Sequence, residues 1–308
     1  MPHVACDIRF HDLIDVSEPV ELIATGFDFT EGPIWHPAQH HLTFSDIPGN
    51  ARYRWSPDGA LTEVARPTNM ANGMTYDADM NLIVCEHRTA TVARISPRGR
   101  REILCSHFEG RELNSPNDVV VHSNGTIYFT DPNYGRQERF GIVRPAELGF
   151  QAVFMLPHDH RPGAEARLAS ERDVFNQPNG LTLSPCEKWM WVNDSEEGLI
   201  RQYRIAEDGR LTEGAVFASG IEETGRPGVP DGMKCDSAGN IYVTGPGGIW
   251  VYDANGGKLG EIGAPEPVAN FHWGGMAWDR LFLTANTSIY AVKTKSRPHP
   301  EPFMAASA

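Results

Sequence analysis

Cysteine is scarce in this chain and shows no pairing pattern. Cys6, Cys85, Cys105, Cys186 and Cys235 are scattered over 308 residues without a Cys-x-x-Cys pair or a zinc-like His/Cys spacing, which excludes a disulfide scaffold and points to a reducing environment. Apolar runs of membrane-spanning length are missing as well,. Residues 1–15 interleave their apolar positions with His3, Asp7, Arg9, His11 and Asp12, so no signal-peptide stretch is read there,. The expected compartment is the cytoplasm. Positive charge is in short supply, with 27 Lys and Arg against 40 Asp and Glu for a net charge of -13. Such a balance repels phosphate backbones and acidic lipid surfaces, which excludes nucleic acid and membrane as partners. There is no Gly-x-Ser-x-Gly elbow, no glycine-rich strand-to-helix loop and no long helical periodicity, which removes the serine hydrolases of that type and the nucleotide-binding folds,.

What the chain does contain is a repeat. Glu31-Gly32-Pro33-Ile34-Trp35, Asn72-Gly73-Met74-Thr75, Asn117-Asp118-Val119-Val120, Asn179-Gly180-Leu181-Thr182, Asp231-Gly232-Met233-Lys234 and Gly274-Gly275-Met276-Ala277 each open an apolar strand. The markers Gly32, Gly73, Asp118, Gly180, Gly232 and Gly275 fall at intervals of 41, 45, 62, 52 and 43 residues, close to the length of a four-stranded propeller blade. Within the intervals, hairpins such as Ser123-Asn124-Gly125 and Asp236-Ser237-Ala238-Gly239-Asn240 separate β-rich runs, because Asn and Gly accept the positive φ that a twisted two-strand turn requires. The fold predicted is all-β, a six-bladed β-propeller forming a single domain over residues 1–308. Residues 20–25 read as a strand that closes the last blade, and residues 296–308 as a frayed tail. The long third interval leaves residues 136–172 open between a lid, with a short helix near Pro145-Ala146-Glu147-Leu148, and an extended outer hairpin.

Equivalent positions in a cyclic repeat face one axis, so Glu31, Asn72, Asn117, Asn179 and Asp231 are expected to form a ring of carboxylate and amide oxygens. Asn-Gly and Asp-Gly are also the commonest turn pairs, and each phrase alone reads as a turn. Recurrence at one phase of the repeat favours a central site for a hard divalent cation, Ca²⁺, Mg²⁺ or Mn²⁺ by ligand type, with Zn²⁺ or Fe²⁺ also compatible.

Together with Leu82-Ile83-Val84-Cys85-Glu86-His87, Asn114-Ser115-Pro116-Asn117-Asp118-Val119 and Phe129-Thr130-Asp131-Pro132-Asn133-Tyr134-Gly135, these phrases make the chain resemble the family of gluconolactonases, senescence marker protein 30 (regucalcin) and luciferin-regenerating enzyme. The resemblance runs from about Glu21 to Val292. It implies a six-bladed propeller that hydrolyses sugar-acid lactones with one divalent metal, calcium first. Glu31, Asn117, Asn179 and Asp231 match the family's metal ligands, and Asp231 its general base. Asn72, Asn114, Asn117, Tyr134 and His272 are the expected substrate contacts. Ser115 stands where the animal lactonases carry arginine, so the sugar acid preferred by those enzymes is not carried over. Two alternatives share the same ring, an organophosphate or aryl-ester hydrolase and a non-catalytic calcium-binding propeller.

Overall fold

In a computed structural model, which describes residues 1–222 and 225–307, six antiparallel sheets of four or five strands succeed one another along the chain, with a small two-stranded ribbon, His107–Phe108 and Arg111–Glu112, after the second. Blade 1 spans residues 30–65, blade 2 71–105, blade 3 119–168, blade 4 178–219, blade 5 233–263 and blade 6 270–293. The innermost strands are Thr30–His36, Ala71–Tyr76, Val119–Val121, Pro178–Leu183, Met233–Cys235 and Asn270–Gly274, and each touches the next around a closed ring. Radial repetition leaves each blade only short edges, the inner one covered by its neighbours around the channel,. Glu21–Thr25 pairs with Ser288–Lys293 as the outermost strand of blade 6, and Val4–Ala5 adds a fifth strand to blade 5.

Alternation of side chains along each strand sends one set to each neighbouring blade. At the seam between blades 1 and 6, Trp35 stacks on Phe282 with ring centroids 5.4 Å apart, a contact of about 1 kcal/mol beyond the area it buries. The cores are therefore wedges between blades rather than one central mass; the axis is left to polar groups.

Three local expectations need correction. The sixth phrase is out of phase, since Gly274 ends the inner strand of blade 6 and Gly275 lies in the turn that follows. The Gly232 N–H donates to the Ala269 carbonyl at 2.7 Å, as the Gly180 N–H does to the Asp231 carbonyl at 2.8 Å, so the ring position of blade 6 is Ala269 and it carries no side-chain oxygen. The tail does not fray at Ser296. Pro298 bridges to Asp236, the His299 N–H donates to the Cys235 carbonyl, and Phe303 is fully buried beside Tyr76 and Trp278. Ala308 lies outside the described residues. Residues 145–148 form no helix, because the Glu147 carboxylate accepts the Glu112 N–H and Leu148 is drawn into the core between blades 2 and 3. Of the segment 136–172, the first part crosses the mouth of the channel around Phe140 and the second makes the outer hairpin Val153–Leu156 with Arg167–Leu168.

Candidate active site and metal centre

The ring residues are aimed by a repeated backbone defect. In blades 1, 2 and 4 the pairing of the first two strands slips between Glu31 and Ile34, Ala71 and Met74, and Pro178 and Leu181. A bulge of this kind turns the extra residue's side chain away from the ladder, here onto the axis. Glycine follows because neighbouring blades approach closely at that point. A Cβ on Gly180 would sit 2.1 Å from the Asp231 carbonyl oxygen, and one on Gly32 would sit 2.1 Å from that of Asn72.

Glu31, Asn72, Asn117, Asn179 and Asp231 all line one cavity of about 200 Å³ at the channel mouth. Its walls are Phe29, Ile47, Phe140 and Val229, with Tyr134 and His87 as further polar groups. Glu31 is buried and Asp231 is half-buried. Among the described residues no three His, Cys, Asp or Glu side chains gather closely enough to hold a metal by themselves; the candidate set is two carboxylates and two amides.

Hydrogen bonds behind the ring decide which atom Asn179 and Asn72 present. The Asn179 Nδ2 donates to Ser195 Oγ at 3.0 Å, and that hydroxyl donates on to the Pro230 carbonyl at 2.5 Å, leaving the amide oxygen of Asn179 as its acceptor for a cation. His87 Nδ1 lies 2.9 Å from the Phe140 carbonyl and so carries the ring proton. Its Nε2 then accepts from Asn72 Nδ2 at 3.1 Å, and Asn72 Oδ1 is left buried with no partner. Burial holds His87 down at about 4, so the imidazole is neutral at pH 7.

Below the ring lies a second layer that the sequence reading did not assign to the site. Asp118 and Asn270 occupy the position that glycine fills in the other four blades, and their side chains take the space those glycines leave. Asn270 Nδ2 donates to Glu31 Oε2 at 3.1 Å. Asp118 Oδ1 accepts the Val119 N–H at 2.9 Å, its Oδ2 has no hydrogen-bond partner, and Lys234 Nζ is 3.9 Å away. Burial, then the charge of Asp118, pushes the Glu31 carboxyl up to about 7. Burial, then Glu31 and Asp118, pushes Asp231 well above the carboxylate range. Carboxyls crowded in this way hold protons in the absence of a cation, and a bound cation would favour their ionised forms,; with the amide oxygen of Asn179 left free, the donor set suits a hard ion,. The signal for Asp118 was present in the substitution of Asn-Asp for Asn-Gly; that for Asn270 was hidden by the phase error in the sixth repeat.

Two expected substrate contacts lie elsewhere. Asn114 is fully buried and donates to the carbonyls of Asp131 and Phe150 at 3.1 and 3.0 Å, which makes it a brace for the loop before the ring. His272 is two residues along the strand from Asn270, hence on the same face but one step deeper. There its Nε2 meets Glu301 Oε1 at 3.2 Å, beside a small chamber of about 20 Å³ with room for about one water. His272 does not line the upper cavity. Tyr134 does line the cavity, and burial raises its phenol, which stays protonated.

Fold and site thus define a six-bladed propeller with an oxygen-lined axial cavity. The model of the SMP-30/Gluconolactonase/LRE-like region matches residues 29–287, and the chain belongs to that family. It is 31% identical to a gluconolactonase of Zymomonas mobilis, over 94% of this chain and 85% of that protein. It is 27% identical to a pentonolactonase of Haloferax volcanii, over 85% and 83%. A solved gluconolactonase from Xanthomonas campestris superimposes with a TM-score of 0.86 at 28% identity, covering 96% of this chain and 95% of the other.

Proposed function

We propose that this protein is a lactone hydrolase that opens sugar-acid lactones at the channel mouth, with one divalent cation held by Glu31, Asn117, Asn179 and Asp231. The observation that carries the reading is the convergence of those four side chains, from four different blades, on one cavity. A bound cation would supply Lewis-acid polarisation of the lactone carbonyl. The protein's own groups do the rest. Asp231, half-buried with its side chain at the cavity, would take a proton from the attacking water once a bound cation holds it ionised,. Asn72 Oδ1, left without a partner because Nδ2 is held by His87, would accept from a substrate hydroxyl, and Tyr134 can donate to one. Phe29, Ile47, Phe140 and Val229 exclude bulk water, which strengthens each of these polar contacts,.

The gluconolactonase and pentonolactonase relatives support aldonolactones as the substrate class. The all-oxygen ligand set favours calcium, with magnesium, manganese, zinc or iron as substitutes. Five free thiols favour a cytoplasmic setting,; no helix among the described residues is long and apolar enough to cross a membrane. The test is a panel of aldonolactones, aliphatic lactones, aryl esters and a phosphotriester, assayed on chelated protein reloaded with each metal in turn. Aldonolactone turnover that vanishes with chelator and returns with a metal supports the proposal; no lactone turnover with any metal refutes it.

A further inference from the structure

Away from the channel, a marked charge imbalance lies on the face of blade 1 that turns towards blade 2. The strand Ala51–Trp55 reads Ala-Arg-Tyr-Arg-Trp, and its period of two sends Arg52 and Arg54 to one face and Tyr53 and Trp55 to the other. The aromatic pair packs well, Tyr53 against Phe44 and Trp55 against Phe282. The arginines instead enter a groove of about 230 Å³ between the blades, with His36 and Thr43 on one wall and Tyr76 on the other.

Neither guanidinium has a hydrogen-bond acceptor or an ion-pair partner among the described residues. Arg52 is only 6% exposed, and Nε of both arginines is buried and unpartnered, while the Thr43 hydroxyl is buried beside Tyr76. Glu86 is the carboxylate whose charge reaches Arg52, yet it is ion-paired with Arg101 and makes no hydrogen bond to Arg52. Arg101 donates to Oε1 at 2.8 Å and to Oε2 at 2.6 Å, and Asn69, Thr89 and Thr91 all donate to Oε2. Burial brings Arg52 down to about 10, which leaves it cationic at neutral pH. In a chain of net charge -13, two neighbouring arginines without counter-ions are conspicuous, because a buried cation is ordinarily paired. The remaining groups are donors too. The Gln39 N–H donates to His36 Nδ1 at 3.2 Å, so Nε2 is the nitrogen that carries the proton, and Thr43 has a hydroxyl to give.

We propose that this groove is a second binding site, outside the catalytic channel, for a small oxyanion group, phosphate or carboxylate, held by Arg52 and Arg54 with Thr43 and His36 as neutral donors. The planar guanidinium fork suits both groups, and the open groove has room for a small molecule carrying one. Channel residues take no part in it.

The experiment is calorimetric titration of the metal-loaded protein, at constant ionic strength with chloride as reference, using inorganic phosphate and D-gluconate as separate probes. Saturable binding of one probe or both is expected, weakened at least tenfold by Arg54→Gln and abolished by Arg52→Leu with Arg54→Leu. Basal lactone turnover should stay unchanged in both variants. Phosphate alone binding identifies a phosphoryl ligand, and gluconate alone a carboxylate. Absence of saturable binding by both overturns the proposal, and so does binding that survives undiminished in the variants, since it then lies elsewhere. Should the double variant not fold, the Nε–Hε resonances of Arg52 and Arg54 in the wild-type protein must move with the titration, and their failure to move has the same consequence.

Discussion

Asn270 donates its side-chain N–H to Glu31 at 3.1 Å, so the last blade steadies the first candidate metal ligand across the seam where the ring closes. A ligating carboxylate held in this way loses less freedom on binding a cation. Asn270→Ala is expected to weaken metal affinity about 10- to 100-fold while the fold persists. Titration of the chelated variant with Ca²⁺ and Mn²⁺ measures it; unchanged affinity would mean that Glu31 needs no support from blade 6.

Asp231 is assigned both a ligand's charge and a base's proton affinity, and Asp231→Asn separates them only in part. The expected outcome is a fall in turnover of about 10²- to 10⁴-fold, measured at metal concentrations shown to saturate the variant. Its circular dichroism should match that of the wild type. Turnover within a few-fold of wild type would assign the proton transfer to another group.

His87 gives a pH signature that belongs to the fold. Its folded-state value, lowered to about 4 chiefly by burial, lies below the ordinary histidine value of about 6.5,. The native state therefore binds fewer protons than the unfolded chain between these values, and the stability His87 provides is present above about pH 6.5 and lost as pH falls towards 4. The loss is on the order of 2–3 kcal/mol. In His87→Gln, which can still bond Asn72 and Phe140, the fall in stability between pH 7 and pH 4 should be smaller by that amount. Denaturant titrations at the two pH values check this, and parallel pH profiles would contradict it.

Phe303 tests whether the C-terminal segment is part of the structure or an appendage. It is fully buried against Tyr76, His272 and Trp278, and the neighbouring Glu301 bonds His272 and Thr75 beneath the channel. Phe303→Ala should cost about 3–5 kcal/mol of stability, read by denaturant unfolding. A change within 0.5 kcal/mol, the range about that of a surface substitution, would show that the segment contributes nothing to the packed fold.

The propeller itself was legible because blade-length spacing and turn chemistry are local: Asn124-Gly125 needs no distant partner to make a hairpin. Glu31, Asn72, Asn117, Asn179 and Asp231 were legible for a related reason, since one phase of a repeat maps onto one axis. His272 was misplaced because sequence gives the face of a strand and not the depth along a channel, and a tail from beyond the repeats closes that end. Asn114 was misplaced because adjacency to Asn117 in a loop says nothing of which carbonyls its amide meets.

From the order of residues alone came the blade count, the strand faces and the oxygen-bearing ring, all consequences of short-range periodicity. Tertiary packing alone decided that Ala269 holds the sixth ring position, that Asp118 and Asn270 fill the layer below it, and that Arg52 and Arg54 share a groove with no ion-pair partner among the described residues. Each of those depends on how closely two blades approach, a distance set by side chains far apart in the chain.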